Sequence, residues 1–207
     1  MKGQLYVISA PSGAGKTSLI KALLQQLDNV MISISHTTRA ARVGETNGEH
    51  YYFVDIDTFQ QQIKQNDFLE HAQVFDNYYG TSRQAVAKSL AGGQDVILEI
   101  DWQGAQQICQ SMEDVISIFI LPPSYEALSQ RLKQRGQDSK AVIQRRMDDA
   151  ISDMQQSRGF DYIIINDQFD DAVQDLLTIF QSHRLRRKQV AAATKNTPFI
   201  QTLLHDE

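Results

Sequence analysis

Eight residues near the N-terminus constrain the fold of this chain more than any other feature: Ala10-Pro11-Ser12-Gly13-Ala14-Gly15-Lys16-Thr17. They follow the β-branched run 5–9 and open a helical pattern. Glycines let backbone N–H groups turn inward around an anion, and a helix N-terminus adds positive potential. Lys16 suits contact with β- and γ-phosphates, and the Thr17 hydroxyl suits Mg²⁺. A flexible loop does not explain this order of strand, turn and helix. The segment therefore predicts a P-loop, although Ala10 replaces its usual first glycine.

Short β-branched runs alternate with helical patterns along the chain. The predicted central strands are Leu5–Ser9, Met31–Ser35, Asp95–Ile100, Val115–Leu121 and Tyr162–Asn166, and the predicted helices are 16–27, 83–91, 103–112, 124–135, 139–157 and a segment from about 170 into the 180s. Continuous apolar runs are typical of strands buried on both faces, which favours a parallel sheet covered by helices. The fold class predicted is α/β, a doubly wound P-loop core.

The rhythm changes in the segment 34–82, where aromatic pieces alternate with polar turns around a helical pattern at 58–65. This change indicates an inserted small β-rich region with its own sheet. The expected core is then 1–33 with 83–190. The stretch 191–207 contains Pro198 and has weak periodicity, which indicates a short helix or a loose C-terminal tail.

Composition excludes several functional classes. The net charge of −5 argues against gripping a nucleic-acid backbone, which needs a basic surface. No apolar run reaches membrane-spanning length, and no N-terminal targeting signal precedes the first strand. The single cysteine, Cys109, cannot form an internal disulfide and suits a reducing compartment. The expected location is the cytoplasm, without nucleic acid or membrane as partner.

A second group of candidate functional residues begins with Arg39 and Arg42. They follow the end of a predicted strand, which is where open parallel sheets bind ligands. Each motif alone has an ordinary explanation, such as a surface arginine or a core tyrosine. In this order and with the P-loop, the motifs resemble the guanylate kinase family over nearly the whole chain. They are Gly48-Glu49-His50-Tyr51, Phe68-Leu69-Glu70-His71-Ala72, Asn77-Tyr78-Tyr79-Gly80-Thr81-Ser82, Leu98-Glu99-Ile100-Asp101-Trp102-Gln103-Gly104, Ile120-Leu121-Pro122-Pro123-Ser124, Arg131-Leu132-Lys133-Gln134-Arg135-Gly136 and Ile165-Asn166-Asp167.

The resemblance implies transfer of the ATP γ-phosphoryl group to GMP, and to dGMP, in purine nucleotide metabolism and GMP recycling. Guanine presents N–H donors and an O6 acceptor, so its reader needs carboxylates and a hydroxyl. By similarity, the GMP phosphate is held by Arg39, Arg42, Tyr51 and Tyr79, and the base is read by the carboxylates of Glu70 and Asp101 and the hydroxyls of Ser35 and Thr81.

On the donor side, the resemblance implies that residues 10–17 bind ATP and that 131–146 form a mobile helical lid. The lid arginines are Arg131, Arg135 and Arg146, with Arg145 as a substitute, and Asn166 lies near the adenine. The residues expected to act in catalysis are Lys16, Arg39, Arg135 and Arg146, and Thr17 is the expected ligand of ATP-bound Mg²⁺. Glu99 stands where the family often has aspartate. Because the glutamate side chain is one methylene longer, the metal shell could be arranged differently, and Glu99 is not assigned as a direct metal ligand.

Two other functional classes remain open at this point. A peptide-binding module of the same fold is disfavoured because Lys16, Thr17, Arg39 and Arg42 are all present. A small-molecule kinase acting on another nucleotide or a phosphorylated sugar is disfavoured by the guanine-reading set. The sequence does not decide between a monomer and a homo-oligomer.

Overall fold

The structure is a computed structural model that describes residues 2–74, 76–134, 140–186, 189–190, 197, 199 and 203, with the backbone alone at 140–142. The predicted lid residue Arg135 and nearly all of the predicted tail lie outside the described residues. The strands are β1 (Leu5–Ser9), β2 (Val30–Ile32), β3 (His36–Thr37), β4 (Tyr52–Phe53), β5 (Phe68–Val74), β6 (Asn77–Ser82), β7 (Asp95–Glu99), β8 (Val115–Leu121) and β9 (Tyr162–Ile165). The helices are α1 (Lys16–Leu24), α2 (Ile56–Lys64), α3 (Arg83–Ala91), α4 (Trp102–Ser111), α5 (Tyr125–Gln134), α6 (Lys140–Gln155) and α7 (Phe169–Arg184), with a short 3₁₀ helix at Gln156–Gly159.

Five strands form a parallel sheet in the order β2-β7-β1-β8-β9. Strand β1 lies at its centre and is buried along its whole length. Its alternating side chains enter two hydrophobic clusters, because successive residues of a strand point to opposite faces. Tyr6 and Ile8 pack against α1 and α7 on one face, whereas Leu5 and Val7 pack with residues of α3 and α4 on the other. This arrangement confirms the predicted α/β fold class.

The predicted strand Met31–Ser35 begins and ends earlier than expected, since β2 covers only Val30–Ile32. It is an edge strand with one partner, β7. One further hydrogen bond, from the Ser33 N–H to the Ile97 carbonyl at 2.9 Å, marks where the chain leaves the sheet. Ser35 therefore lies in the connection between the two sheets.

The second sheet has four strands in the order β4-β3-β6-β5 and confirms the expectation of a separate small sheet after the second core strand. Its helix α2 starts at Ile56, earlier than the helical pattern indicated, because Asp55 caps it by accepting a hydrogen bond from the Thr58 N–H at 2.7 Å. Strand β5 alternates buried and exposed residues, and Glu70 lies on the buried side between Phe68 and Ala72. A carboxylate thus occupies a position where this pattern normally has an apolar side chain.

Helices α5 and α6 pack together through a small apolar cluster of their own, Leu128, Leu132, Met147 and Ala150. No helix within the described residues is both long enough and apolar enough to cross a membrane.

Candidate active site

A cleft of about 840 Å³ lies at the carboxyl edge of the parallel sheet. It is lined by the loop after β1, by the second sheet and the segments that join it to the core, by the end of β7 and the start of α4, and by residues of α5 and α6. The edge of an open parallel sheet is where such folds bind ligands, because strand ends and helix N-termini meet there. The sequence-predicted residues in the lining are Ala10, Pro11, Ser12, Gly13, Gly15, Lys16, Thr17, Ser35, Arg42, Tyr51, Glu70, Tyr79, Asp101, Arg131 and Arg146.

The loop after β1 needs its two glycines for conformation and for space. Gly13 and Gly15 have φ values of +91° and +98°, in the left-handed region that favours glycine. A Cβ at Gly13 would press on Leu132, and one at Gly15 would collide with the amide of Asn166. One side of the predicted P-loop is thus packed closely against Leu132 and Asn166, and its other side faces the cleft.

Lys16 begins α1, and its ammonium donates a hydrogen bond to the Ile100 carbonyl at 2.9 Å. Burial lowers the pKa of Lys16, and the carboxylates of Glu99, Asp101 and Asp153 oppose that shift. The ammonium therefore lies near negative charge and is partly shielded from water. An arriving anionic phosphate would meet this partly desolvated charge, where Coulomb attraction is stronger than in water.

The Thr17 hydroxyl donates a hydrogen bond to the carboxylate of Glu99, the last residue of β7. Both are oxygen donors at the edge of the cleft, which is the chemistry that Mg²⁺ prefers. Within the described part of the chain, no three His, Cys, Asp or Glu side chains form a metal-binding group. The residues fit a Mg²⁺ ion held by one or two protein oxygens and otherwise by substrate phosphates.

Asn166 and Arg131 brace the P-loop. The buried Asn166 amide donates to the Ala14 carbonyl at 2.7 Å. The Arg131 guanidinium donates to the Asn166 carbonyl at 2.8 Å and to the Ala14 carbonyl at 3.4 Å. Both predicted ATP-site residues thus lie next to the loop, where they fix its backbone. The adenine contact expected of Asn166 stays a prediction.

Two carboxylates meet at the first turn of α4. Asp101 is the N-cap of this helix and accepts a hydrogen bond from the Gly104 N–H at 2.9 Å. Glu70 is 3% exposed and lies so close to Gly104 that a Cβ there would collide with its Oε2. Burial raises the pKa of Glu70 to about 7, with Asp101 adding to the rise and the Thr81 hydrogen bond opposing it. Burial also raises the pKa of Asp101.

Thr81 is fully buried, and its hydroxyl donates to Oε1 of Glu70 at 2.6 Å. The Thr81 hydroxyl proton is therefore already donated in this hydrogen bond, which orients the Glu70 carboxylate. Ser35, also buried, lines the cleft on the connection between β2 and β3.

Arg39 is paired within its own loop. Its guanidinium lies 2.8 Å from Oε1 of Glu45 and 5.4 Å from the ring centroid of Tyr51. The Arg42 backbone N–H donates to the other Glu45 oxygen at 2.7 Å. The rings of Tyr51 and Tyr79 meet edge to face at 6.1 Å, and burial raises the pKa of Tyr51 to about 12. Arg42, Tyr51 and Tyr79 line the cleft directly, whereas the Arg39 guanidinium is paired with Glu45.

Helix α6 brings further charged groups to the cleft. Arg146 donates to the Ser12 hydroxyl at 3.3 Å, and Arg145 lies 3.4 Å from Asp76 in the turn between β5 and β6. Asp153, which no sequence motif indicated, accepts a hydrogen bond from the indole of Trp102 at 3.0 Å. Burial raises its pKa. Asp149 and Asp153 are four residues apart on one helix face, a spacing that could have indicated a shared location.

Glu45 was also missed. Its position three residues after Arg42, in a short loop with two arginines, is the signal that could have indicated an ion pair. The Arg39 guanidinium, by its hydrogen bond, lowers the pKa of Glu45.

A glycine-rich loop on a parallel sheet, arginines and tyrosines in the same cleft, and an arginine-bearing helix form the arrangement expected of a P-loop nucleoside monophosphate kinase. Comparisons with known proteins specify the family. The family model described as guanylate kinase matches residues 2–183. A guanylate kinase of Photorhabdus laumondii is 54% identical over 208 aligned residues that cover 100% of both chains. One from Escherichia coli K12 is 57% identical over 187 residues, covering 89% of this chain and 90% of its own.

A crystal structure of guanylate kinase from Anaplasma phagocytophilum superimposes with a TM-score of 0.75 at 34% identity, covering 89% of this chain and 88% of that one. This protein belongs to the guanylate kinase family.

Proposed function

We propose that this protein transfers the γ-phosphoryl group of ATP to GMP, giving ADP and GDP. One observation carries the proposal beyond the family match. Glu70 and Asp101, the carboxylates suited to the donor edge of guanine, line the same cleft as the P-loop. A base reader and a phosphate cradle in one cleft allow two nucleotides to meet with their phosphates between them.

The acceptor base is read by the carboxylates at the start of α4. Guanine offers N1–H and an exocyclic amine as donors, which Glu70 and Asp101 can accept. Adenine has no matching donors on that edge, so a buried carboxylate facing it would lack partners at a cost of about 1–3 kcal/mol or more. Ser35 supplies a hydroxyl toward the base, and Thr81 fixes the orientation of Glu70.

The acceptor phosphate is held by Arg42, Tyr51 and Tyr79, with Arg39 joining when it leaves Glu45. Guanidiniums can contact phosphate through two N–H groups at once, and phenols add donors without adding charge. An oxygen of the GMP phosphate attacks the γ-phosphorus, and the bond from that phosphorus to the bridging oxygen breaks to release ADP. The attacking oxygen is already anionic, so positioning and charge neutralisation supply most of the rate.

The donor phosphates lie in the P-loop, where Lys16 contributes a partly desolvated cation. Thr17, with Glu99 behind it, would hold the Mg²⁺ that accompanies ATP; when bound, this ion neutralises phosphate charge. We further propose that 34–82 is the GMP-binding unit and that 131–146 is the lid, which brings Arg146 over the transferred group and excludes water. We place Asn166 near the adenine, Arg135 with the lid arginines, and the protein in the cytoplasm.

The test is an ADP-release assay with ATP and a panel of GMP, dGMP, AMP, UMP, CMP and dTMP. The proposal requires turnover with GMP and dGMP and rates at least about 100-fold lower with the other four. Faster turnover with AMP or a pyrimidine nucleotide would reject the assignment of base recognition. Lack of turnover with every acceptor, from folded protein, would favour a binding module.

A further inference from the structure

A side chain outside the proposed chemistry fixes the strand that carries Glu70. Strand β5 is an edge of the second sheet, where it pairs with β6, and its other side faces α4 of the core. Gln107 of α4 reaches this edge. Its Oε1 accepts a hydrogen bond from the His71 N–H at 3.2 Å, and its Nε2 donates to the His71 carbonyl at 2.8 Å. The amide thus makes the two hydrogen bonds that a neighbouring strand would make.

The contact lies beside an irregularity in β5. The register with β6 shifts between Phe68 and Glu70, and such a bulge changes where the neighbouring side chains point. The bulge is held on both sides by core helices. Arg83, the first residue of α3, donates to the Phe68 carbonyl at 2.9 Å, and Gln107 holds His71. The direction of Glu70 therefore depends on contacts from outside its own sheet.

Gln107 belongs to a helix face that meets Glu70 as well. Asp101, Gly104 and Gln107 follow each other at intervals of three residues, so they lie on one side of α4. Asp101 caps the helix, Gly104 leaves room for the Glu70 carboxylate, and Gln107 fixes the next residue of the strand. One helix face thus positions both carboxylates relative to each other.

We propose that Gln107 is a positioning residue for base recognition. By pairing with His71 it holds Glu70 against the first turn of α4, beside Asp101, and this placement sets the preference for guanine. The inference rests on the proposed role of Glu70 in reading the base. The Gln107 side chain is half-buried and its amide hydrogen-bonds to the backbone of β5, so we expect its replacement to change the placement of β5 more than the stability of the core.

The variant Gln107→Met removes both hydrogen bonds and keeps the length of the side chain. Gln106→Met is the matched control, because Gln106 is the exposed neighbouring glutamine of the same helix. The assay measures kcat and KM for GMP, for ATP and for IMP. IMP lacks the exocyclic amine of GMP, which in this proposal is a donor to the Glu70 carboxylate. We expect kcat/KM for GMP to fall about tenfold in Gln107→Met, mainly through KM, with a smaller loss for IMP. The KM for ATP stays unchanged, and Gln106→Met behaves as the parent protein.

Amide hydrogen exchange adds a direct readout: the His71 N–H should exchange faster in Gln107→Met and not in Gln106→Met. Equal losses for GMP and IMP, an equal change in the KM for ATP, or unchanged kinetics would each overturn the inference. Glu70→Gln, measured alongside, separates the two proposals. If it lowers the GMP:IMP ratio and Gln107→Met does not, the inference on Gln107 alone fails. If Glu70→Gln leaves the ratio unchanged, the role of Glu70 fails and this inference with it.

Discussion

The buried carboxylate of Glu70 should destabilise the protein without nucleotide at neutral pH. Its pKa is about 7 in the folded protein against an ordinary value of 4.5. A pKa raised by folding means that the folded state binds the proton more tightly, so stability falls as pH rises from about 4.5 to about 7. At pH 8 the ionised Glu70 carboxylate lowers the free energy of unfolding by its full amount, which the difference between the two pKa values puts at about 3 kcal/mol.

Glu70→Gln removes the charge and keeps the oxygen that accepts from Thr81. We expect the variant to be more stable than the parent protein by about 1–3 kcal/mol at pH 8 and nearly equal to it at pH 4.5. Urea unfolding at the two pH values, without nucleotide, measures this difference. Glu45→Gln is the control, because Arg39 lowers the pKa of Glu45 and the change should then destabilise at pH 8. A Glu70→Gln effect of the same size at both pH values would refute the reasoning.

Three further predictions concern activity. Lys16→Ala should fold normally yet lose at least about 100-fold in turnover, because the preorganised positive charge that faces the phosphates is lost. Circular dichroism measures folding and ADP release measures turnover, and near-normal turnover would contradict the P-loop role. Gly104→Ala should raise the KM for GMP about tenfold or more without changing the KM for ATP, since its methyl group displaces Glu70, whereas Gly159→Ala, in open space, should be neutral. The KM for GMP should fall as pH rises from 6 to 8, because Glu70 accepts hydrogen bonds better when ionised. Glu70→Gln is the control, because it lacks this carboxyl group while the GMP phosphate still titrates. Identical pH profiles of the KM for GMP in the parent protein and in Glu70→Gln would contradict this prediction.

The sequence predicted the features that depend on local order along the chain. The P-loop could be predicted because β1, its glycines and α1 are consecutive, and a parallel sheet followed from apolar runs such as that of β8. The start of α2 at Ile56 was missed, although Asp55 is a typical N-cap residue. The end of β2 at Ile32 could not be predicted, because the residue at which an edge strand leaves its sheet depends on the strand beside it, here β7.

The pairings within the cleft required the structure. The hydrogen bond from Trp102 to Asp153 joins residues 51 positions apart, and that from Thr81 to Glu70 spans two strands. The resemblance predicted that Thr81 would contact guanine, but it could not show that its hydroxyl is already donated to Glu70. The partner of Arg39 depends on a loop that brings Glu45 back to it. Each of these contacts is set by tertiary packing.

Transfer of labelled phosphate is the most direct test of phosphoryl transfer from ATP to GMP. The protein is incubated with ATP labelled at the γ-phosphate, Mg²⁺ and GMP, and the products are separated by chromatography. We expect label to appear in GDP at its β-phosphate, one equivalent for each ADP formed, and Lys16→Ala to abolish nearly all of it. Label released as inorganic phosphate, or ADP formed at the same rate without GMP, would contradict this expectation.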